Sequence, residues 1–174
     1  MSDEAQVELT PVTQAHTDAI LRWRADPDVA RELFSERPPT REEHLAWLAT
    51  LGERRREYVI LALPERVPVG TIGLSQIDHV HRNAEYGILL GEPAYRGRGF
   101  ARAASRMLLQ TAFADWGLHR VSLRVRDRNE RARRLYESMG FRLEGVLREQ
   151  ARRGAGYEDV LIMGLLESEW RTRA

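Results

Sequence analysis

At 174 residues, with 43% hydrophobic and 30% charged side chains, the chain has the size and balance of one globular domain, expected over residues 1–174. It has no cysteine and its 27 basic residues are all arginine, which excludes a thiolate nucleophile, a disulfide framework, a lysine Schiff base and the lysine of a P-loop. A formal net charge of +1, with both signs interspersed, gives no reason to expect a nucleic-acid partner, and no apolar run approaches the length of a membrane span.

The acidic start MSDEAQVEL has neither the basic nor the apolar stretch of a signal peptide, so the cytoplasm is the expected location. Val7 to Val12 reads as a first strand, with Pro11 suited to its edge or end. A helix is expected from Thr13 to about Ala30, carrying Ala19, Ile20 and Trp23, until Asp26-Pro27-Asp28 interrupts it or starts a second short helix. Ser35 to Pro39 is a loop. Thr40 followed by Glu43 matches a capping box ahead of a helix containing Leu45, Trp47, Leu48 and Leu51. Tyr58 to Leu63 and Val69 to Ile77 read as a hairpin about the turn PERVP, and Asp78 to Asn83 is a second polar turn.

The strand Ala84 to Leu90 follows, and its period of two places Glu85, Gly87 and Leu89 on one face and Tyr86, Ile88 and Leu90 on the other. It breaks at Gly91, and the turn RGRGFA runs directly into a helix from about Gly99 to Trp116. Such a strand, turn and helix start form an anion cradle, because the first helical amides lack intrahelical partners and glycine lets a ligand approach the main chain. Arg96, Arg98 and Arg102 add charge-assisted donors. A phosphate-bearing cofactor or substrate is therefore expected here. Plain solvation of the loop is the alternative for Arg96 and Arg98, but their coupling to Gly97 and Gly99 favours phosphate. A Rossmann reading is weaker, since the full glycine fingerprint is missing and the motif does not open the chain.

Val121, Leu123 and Val125 alternate with Ser122 and Arg124 in another strand, and Ala132, Leu135, Tyr136 and Met139 repeat at helical spacing before the C-cap residue Gly140. Phe141 to about Leu147 and Val160 to Leu166 are strand candidates flanking the polar GAGYED turn. The order β-α-α-β-β-β-α-β-α-β-β, with two consecutive β-α-β connections, predicts an α/β fold in which a mixed sheet carries packed helices.

Three stretches together resemble the GNAT acetyltransferase superfamily over nearly the whole chain: RGRGFA at Arg96 to Ala101, NERARRLYESMGF at Asn129 to Phe141, and GYEDVLIMGLL at Gly156 to Leu166. The nearest group is the one containing ribosomal-protein N-terminal, spermidine and amino-sugar acetyltransferases. The resemblance implies a mainly antiparallel sheet of six to seven strands, helices on both faces, and a splayed strand pair into which acetyl-CoA enters as acetyl donor. It implies that Arg96, Gly97, Arg98, Gly99, Phe100 and Ala101 hold the pyrophosphate. The main chain of Leu89, Leu90 and Gly91 would run beside the pantetheine and polarise the thioester carbonyl, while Asn129 and Arg131 help to hold the cofactor. Tyr136 would point its hydroxyl at the sulfur.

An amine of pKa about 10.4 costs on the order of 4.6 kcal/mol to deprotonate at pH 7, so the site needs a proton acceptor. Glu85 is the candidate, through a water, with an ordinary strand residue paired to an arginine as its alternative. Tyr136 lies on an apolar helical stripe, so core packing competes with its role as hydrogen-bond donor or acid to the leaving sulfur. With cysteine and lysine absent, direct attack by the amine is expected, with no acetyl-enzyme. Phe34, His81 and Tyr157 are candidates for acceptor binding, and no metal is expected from His79 and His81. The arginine-rich run from His119 to Arg134 is expected to be solvated surface plus contact with the cofactor's 3′-phosphate.

The acceptor is expected to be a small-molecule primary amine or a peptide N-terminus, with a homodimer as a further expectation and neither nucleic acid nor membrane as partner. A protein N-terminus requires an open groove, and a nucleotide-linked amino sugar calls for aromatic and arginine contacts. A polyamine favours several carboxylates, for which Glu32, Glu36, Glu42 and Glu43 are available. The competing class is a non-catalytic acyl-CoA-binding regulatory module.

Overall fold

The computed structural model describes residues 5–35 and 37–172, so Met1 to Glu4, Glu36 and the last two residues of the chain lie outside the described residues. Seven strands form one sheet in the order β1-β2-β3-β4-β5-β7-β6. They are β1 (Val7–Pro11), β2 (Arg56–Ala62), β3 (Val67–Asp78), β4 (Asn83–Leu90), β5 (Arg120–Arg126), β6 (Arg142–Arg153) and β7 (Gly156–Leu166). Every neighbouring pair is antiparallel except β4 with β5. The helices are α1 (Thr17–Ala25), α2 (Pro27–Ala30), α3 (Arg41–Leu48), α4 (Phe100–Gln110), α5 (Glu130–Met139) and α6 (Glu167–Arg171). The mixed sheet expected from the sequence is present, at seven strands.

Strand alternation divides the interior into two layers. On β2, Ile60 and Ala62 join a core with Tyr86, Phe100, Ala104, Leu108, Tyr136 and Met139, which packs α4 and α5 on one face. Val59 and Leu61 point the other way and pack with Val12, Ile20 and Trp23 under α1, with Trp47 of α3 against them. Each fully buried aliphatic side chain contributes about 1.5–3 kcal/mol, so a charge placed at Ile72 or Leu74 would disrupt the sheet centre.

Local signals set the helix ends. The capping box before α3 is formed: the Thr40 amide donates to Glu43 Oε2 at 2.7 Å, and the Glu43 amide donates to Thr40 Oγ1 at 3.2 Å. Asn129 Oδ1 accepts from the Ala132 amide at 3.1 Å to start α5, and Gly140 ends it at φ 101°. The first helix starts later than the expected Thr13 and ends at the Asp26-Pro27-Asp28 break, where the second short helix expected as an alternative begins. It runs Thr17–Ala25, and Pro27 then begins α2 after Asp26 turns to an extended conformation. β6 and β7 are longer than their apolar cores suggest, continuing as a paired ribbon to Arg153 and Gly156, so most of the GAGYED segment is strand. Ladder hydrogen bonds, not apolar side chains, carry that extension.

The parallel pairing of β4 with β5 covers Asn83 to Glu85 against Arg120 to Ser122 and then stops. Beyond it β4 continues to Leu90 against β3, and β5 continues to Arg126 against β7. The two strands splay, and their facing edges are left without strand partners.

Candidate active site

A cleft of about 1050 Å³ occupies the splay. Leu89, Leu90, Arg96, Gly97, Gly99, Phe100, Ala101, Asn129 and Arg131 all line it, together with Glu85, Tyr136 and Phe34. Backbone groups on two open strand edges need partners, and an amide-bearing chain laid between them supplies these as an added strand does.

At one end of the cleft lies the start of α4. Gly97 and Gly99 hold φ angles of 75° and 89°, which L side chains rarely adopt, and these turn the chain so that α4 begins abruptly. No side chain among the described residues caps this helix. Its first amides therefore point into the cleft mouth as unused donors, the arrangement that binds a phosphate. Arg102 of α4 and Arg131 of α5 line the same cleft and have no ion pair among the described residues. The fit to a diphosphate-bearing acetyl-CoA is thus good on the chain's own groups.

Arg96 is used differently. Its guanidinium donates to Gly91 O at 2.9 Å, Leu90 O at 3.3 Å and Asp26 Oδ2 at 3.1 Å, so it anchors the turn from within. Gly91 and Arg98 are not brought to the cleft. The Gly91 amide donates to Val69 O at 2.8 Å, and a Cβ on Gly91 would run into the Trp23 indole. Arg98 donates to Ala94 O at 3.3 Å and lies over the rings of Tyr95 and Phe100.

Glu85 sits at the last paired position of β4, opposite Ser122. Its carboxylate accepts from Gln76 Nε2 at 2.8 Å and from Arg124 Nε at 3.0 Å. It faces two spaces at once: the main cleft, and a second cavity of about 460 Å³ that also meets Arg54, Arg55, Asp78 and Asn83. Asp78 is held below the usual carboxylate range by the His81 and Val80 amides, which both donate to its Oδ1 at 2.8 Å.

Tyr136 comes from α5 and is 7% exposed. Its ring stands edge-on to Tyr86 and Phe141, and no protein group within the described residues takes its hydroxyl. Burial raises its phenol pKa above the ordinary value. The neighbouring Tyr86 hydroxyl is by contrast paired with Ser105 Oγ at 2.6 Å. Core packing and access to the cleft are therefore combined in Tyr136.

Of the acceptor-binding candidates, Phe34 lines the cleft, 45% exposed, with the guanidinium carbons of Arg124 and Arg126 over its ring at 5.5 Å and 5.1 Å. His81 and Tyr157 line neither cavity, and Tyr157 is 66% exposed on β7. Glu32 lines the cleft, whereas Glu43 is committed to its helix cap and to Arg37, whose hydrogen bond holds it down to about 2. Glu42 lies in the first turn of α3, away from both cavities, and Glu36 lies outside the described residues.

The sequence reading missed Gln76 and Arg124, which hold Glu85, and Arg126, which is 7% exposed and bonded to Glu158 instead of being solvated. The alternation that put Val121, Leu123 and Val125 on one face was the available signal for Arg124 and Arg126 on the other. Charge composition hid it by suggesting solvent.

Residues 6–142 match the family model described as the acetyltransferase (GNAT) domain. The spermidine N(1)-acetyltransferase of Vibrio cholerae is 36% identical over 106 residues, a stretch covering 61% of this chain and 61% of that protein. The Escherichia coli K12 enzyme of the same name is 29% identical over 148 residues, covering 85% of this chain and 74% of that protein. The crystal structure of spermidine N-acetyltransferase from Vibrio cholerae in complex with CoA and spermine superposes with a TM-score of 0.89 at 27% identity, over 95% of this chain and 98% of that one.

Proposed function

This chain belongs to the GNAT acetyltransferases and depends on acetyl-CoA as donor, and from that premise we propose that it acetylates a terminal primary amine of a polyamine such as spermidine. The observation that carries the reading is Glu85, a carboxylate placed where the donor cleft meets a second polar cavity. The named activity of the relatives supports a polyamine. Asp78 in the second cavity gives a further carboxylate for a distal ammonium.

Acetyl-CoA supplies an acetyl group already activated as a thioester. The open amides at the start of α4, with Arg102 and Arg131, would hold its phosphates, and the edge of β4 at Leu89 and Leu90, which has no strand partner on the cleft side, would align its arm. Glu85 attracts the acceptor ammonium and takes its proton, directly or through one water. The Tyr136 hydroxyl, without a protein partner among the described residues, donates a hydrogen bond to the departing sulfur. No covalent acetyl-enzyme forms on the chain, in keeping with its lack of cysteine and lysine.

A second reading has its own observation. Arg54 and Arg55 share the smaller cavity with Glu85, and Arg124 is bonded to it, an environment suited to an amine that carries an anionic group, as a nucleotide-linked amino sugar does. Release of CoA thiol from acetyl-CoA, measured with spermidine, spermine, N-terminal peptides and nucleotide amino sugars, tests both. The polyamine reading expects the highest kcat/KM with spermidine or spermine. Faster turnover of the anionic amine replaces it by the second reading, and CoA binding without turnover of any amine replaces it by a regulatory module.

A further inference from the structure

The segment from Asp26 to Phe34 joins α1 to the loop before α3 and crosses the open end of the splay. It is pinned on both sides. On the β4 side, the Asp26 carboxylate accepts from Arg96 at 3.1 Å. On the β5 side, Arg126 donates to Leu33 O through Nη2 at 2.5 Å and through Nε at 3.2 Å, and Arg128 donates to Arg31 O at 2.8 Å.

The two β5-side arginines are themselves fixed by one acid. Glu158 of β7 accepts from Arg128 Nε at 2.7 Å and is also bonded to Arg126. Burial opposes ionisation of Glu158, but the hydrogen bonds from both arginines outweigh it and its pKa is lowered, so the acid stays charged. Glu32 adds a contact to Arg128 at 3.5 Å. A buried ion pair of this kind adds little net stability, because desolvation offsets the attraction. What it does add here is position: two main-chain carbonyls of a segment with no strand or long helix of its own are fastened to the end of a rigid strand.

The fastened segment carries Phe34 into the cleft. Its ring is in cation–π contact with both the Arg126 that holds the segment and the Arg124 that bonds Glu85. A continuous array therefore runs from Glu158 through Arg126 and Phe34 to Arg124 and Glu85.

We propose that Arg126 is a positioning residue for acceptor binding: pinned by Glu158, it holds the strap Asp26–Phe34 across the splay and so sets Phe34 as the wall against which the acceptor rests beside Glu85. The proposal rests on the reading of this cleft as an amine-acetylating site only for the identity of the molecule that meets Phe34. The pinning itself stands on the contacts above. Arg126→Lys keeps the charge but loses the planar fork that reaches two acceptors, and Glu158→Gln keeps the shape but loses the anchor.

The test uses the full chain with Arg126→Lys, Glu158→Gln, Phe34→Ala and the double variant Arg126→Lys with Phe34→Ala. Hydrogen exchange of the amides between residues 27 and 35, followed without ligand, is expected to rise roughly tenfold or more in Arg126→Lys and Glu158→Gln while the β3 and β4 amides stay protected. Acceptor KM is expected to rise roughly tenfold in each single variant with KM for acetyl-CoA changed less than about twofold, and the double variant is expected to add little to Phe34→Ala alone. Unchanged exchange in the strap overturns the pinning. Equal increases in both KM values, or additive effects of Arg126→Lys and Phe34→Ala, overturn the positioning role. If no amine is acetylated by the wild-type chain, the function reading fails while the exchange result still decides the strap. Should Arg126→Lys not fold, Glu158→Gln and Phe34→Ala carry the same comparisons.

Discussion

Glu85 and Tyr136 reach one cleft from opposite faces of the sheet. Tyr86, the next residue of β4, belongs with Tyr136 to the core under α4 and α5, so alternation sends Glu85 to the α1 side. They meet because β4 and β5 part after Glu85 and Ser122, and the opening passes through the sheet plane. The Glu85 carboxylate on one face and the Tyr136 hydroxyl on the other are thereby set on either side of the same gap, which under the proposed mechanism would separate attack by the amine from departure of the sulfur.

Replacement of Glu85 by Gln keeps the contact with Gln76 within reach and removes the proton acceptor. A general base contributes on the order of a hundredfold or more, so kcat/KM at neutral pH is expected to fall by about that factor. The deficit should shrink as pH rises towards the amine pKa of about 10.4, where the free amine becomes abundant without help. A pH profile of kcat/KM for the variant parallel to that of the wild type would remove Glu85 from proton transfer.

For Tyr136→Phe, packing against Tyr86 and Phe141 is retained, so folding is expected to be little affected. Turnover should fall roughly tenfold to a hundredfold with KM for acetyl-CoA nearly constant, because the hydroxyl acts as sulfur departs. Burial raises the phenol pKa, and a raised pKa keeps the proton on the oxygen to higher pH. The wild-type rate should therefore show no alkaline loss near the ordinary phenol value of about 10. Wild-type turnover by Tyr136→Phe contradicts the leaving-group role.

Much of this arrangement was legible in the sequence because it depends on local rules. RGRGFA announces its turn through glycine, Thr40 and Glu43 announce a cap, and period two separates Glu85 from Tyr86. The strap was not legible. Arg126 and Glu158 are far apart in the chain, and although strand alternation puts Arg124 and Arg126 on one face, it does not distinguish a buried clamp from solvated charge until β5 and β7 pair. The same applies to Gly91 and Arg98, whose neighbours line the cleft but whose own contacts, with Trp23 and with Tyr95 and Phe100, are tertiary.

Gly99 offers a test of the donor end. Its φ of 89° is unfavourable for any L side chain, costing about 1–2 kcal/mol, whereas the nearest atom to an added Cβ, Ala5 Cβ at 3.6 Å, is an ordinary contact. Gly99→Ala should therefore act through the backbone, tilting the first amides of α4. CoA affinity by titration calorimetry is expected to fall roughly tenfold, with kcat at saturating acetyl-CoA largely retained. Unchanged CoA affinity in a folded variant would place the phosphates elsewhere.

A pH dependence of stability comes from Glu57 on β2. Its carboxylate rests on Gly73, where a Cβ would clash with it, on the α1 side of the sheet. Burial pushes it up to about 7 despite Arg55, a hydrogen bond from Thr71 and Arg24. Because the folded pKa lies above the unfolded one of 4.5, the folded state holds the proton more tightly. Its contribution is complete below the unfolded value and is lost as pH rises through about 7, a change on the order of 3 kcal/mol at most. The wild-type Tm should drop between pH 5 and pH 8 by several degrees more than that of Glu57→Gln, which has no proton to lose. Arg24, whose Nε is buried without a partner, favours the ionised carboxylate and tempers the drop. Parallel Tm curves for the two proteins would mean that Glu57 titrates as it does in the unfolded chain, with water reaching it beneath α1.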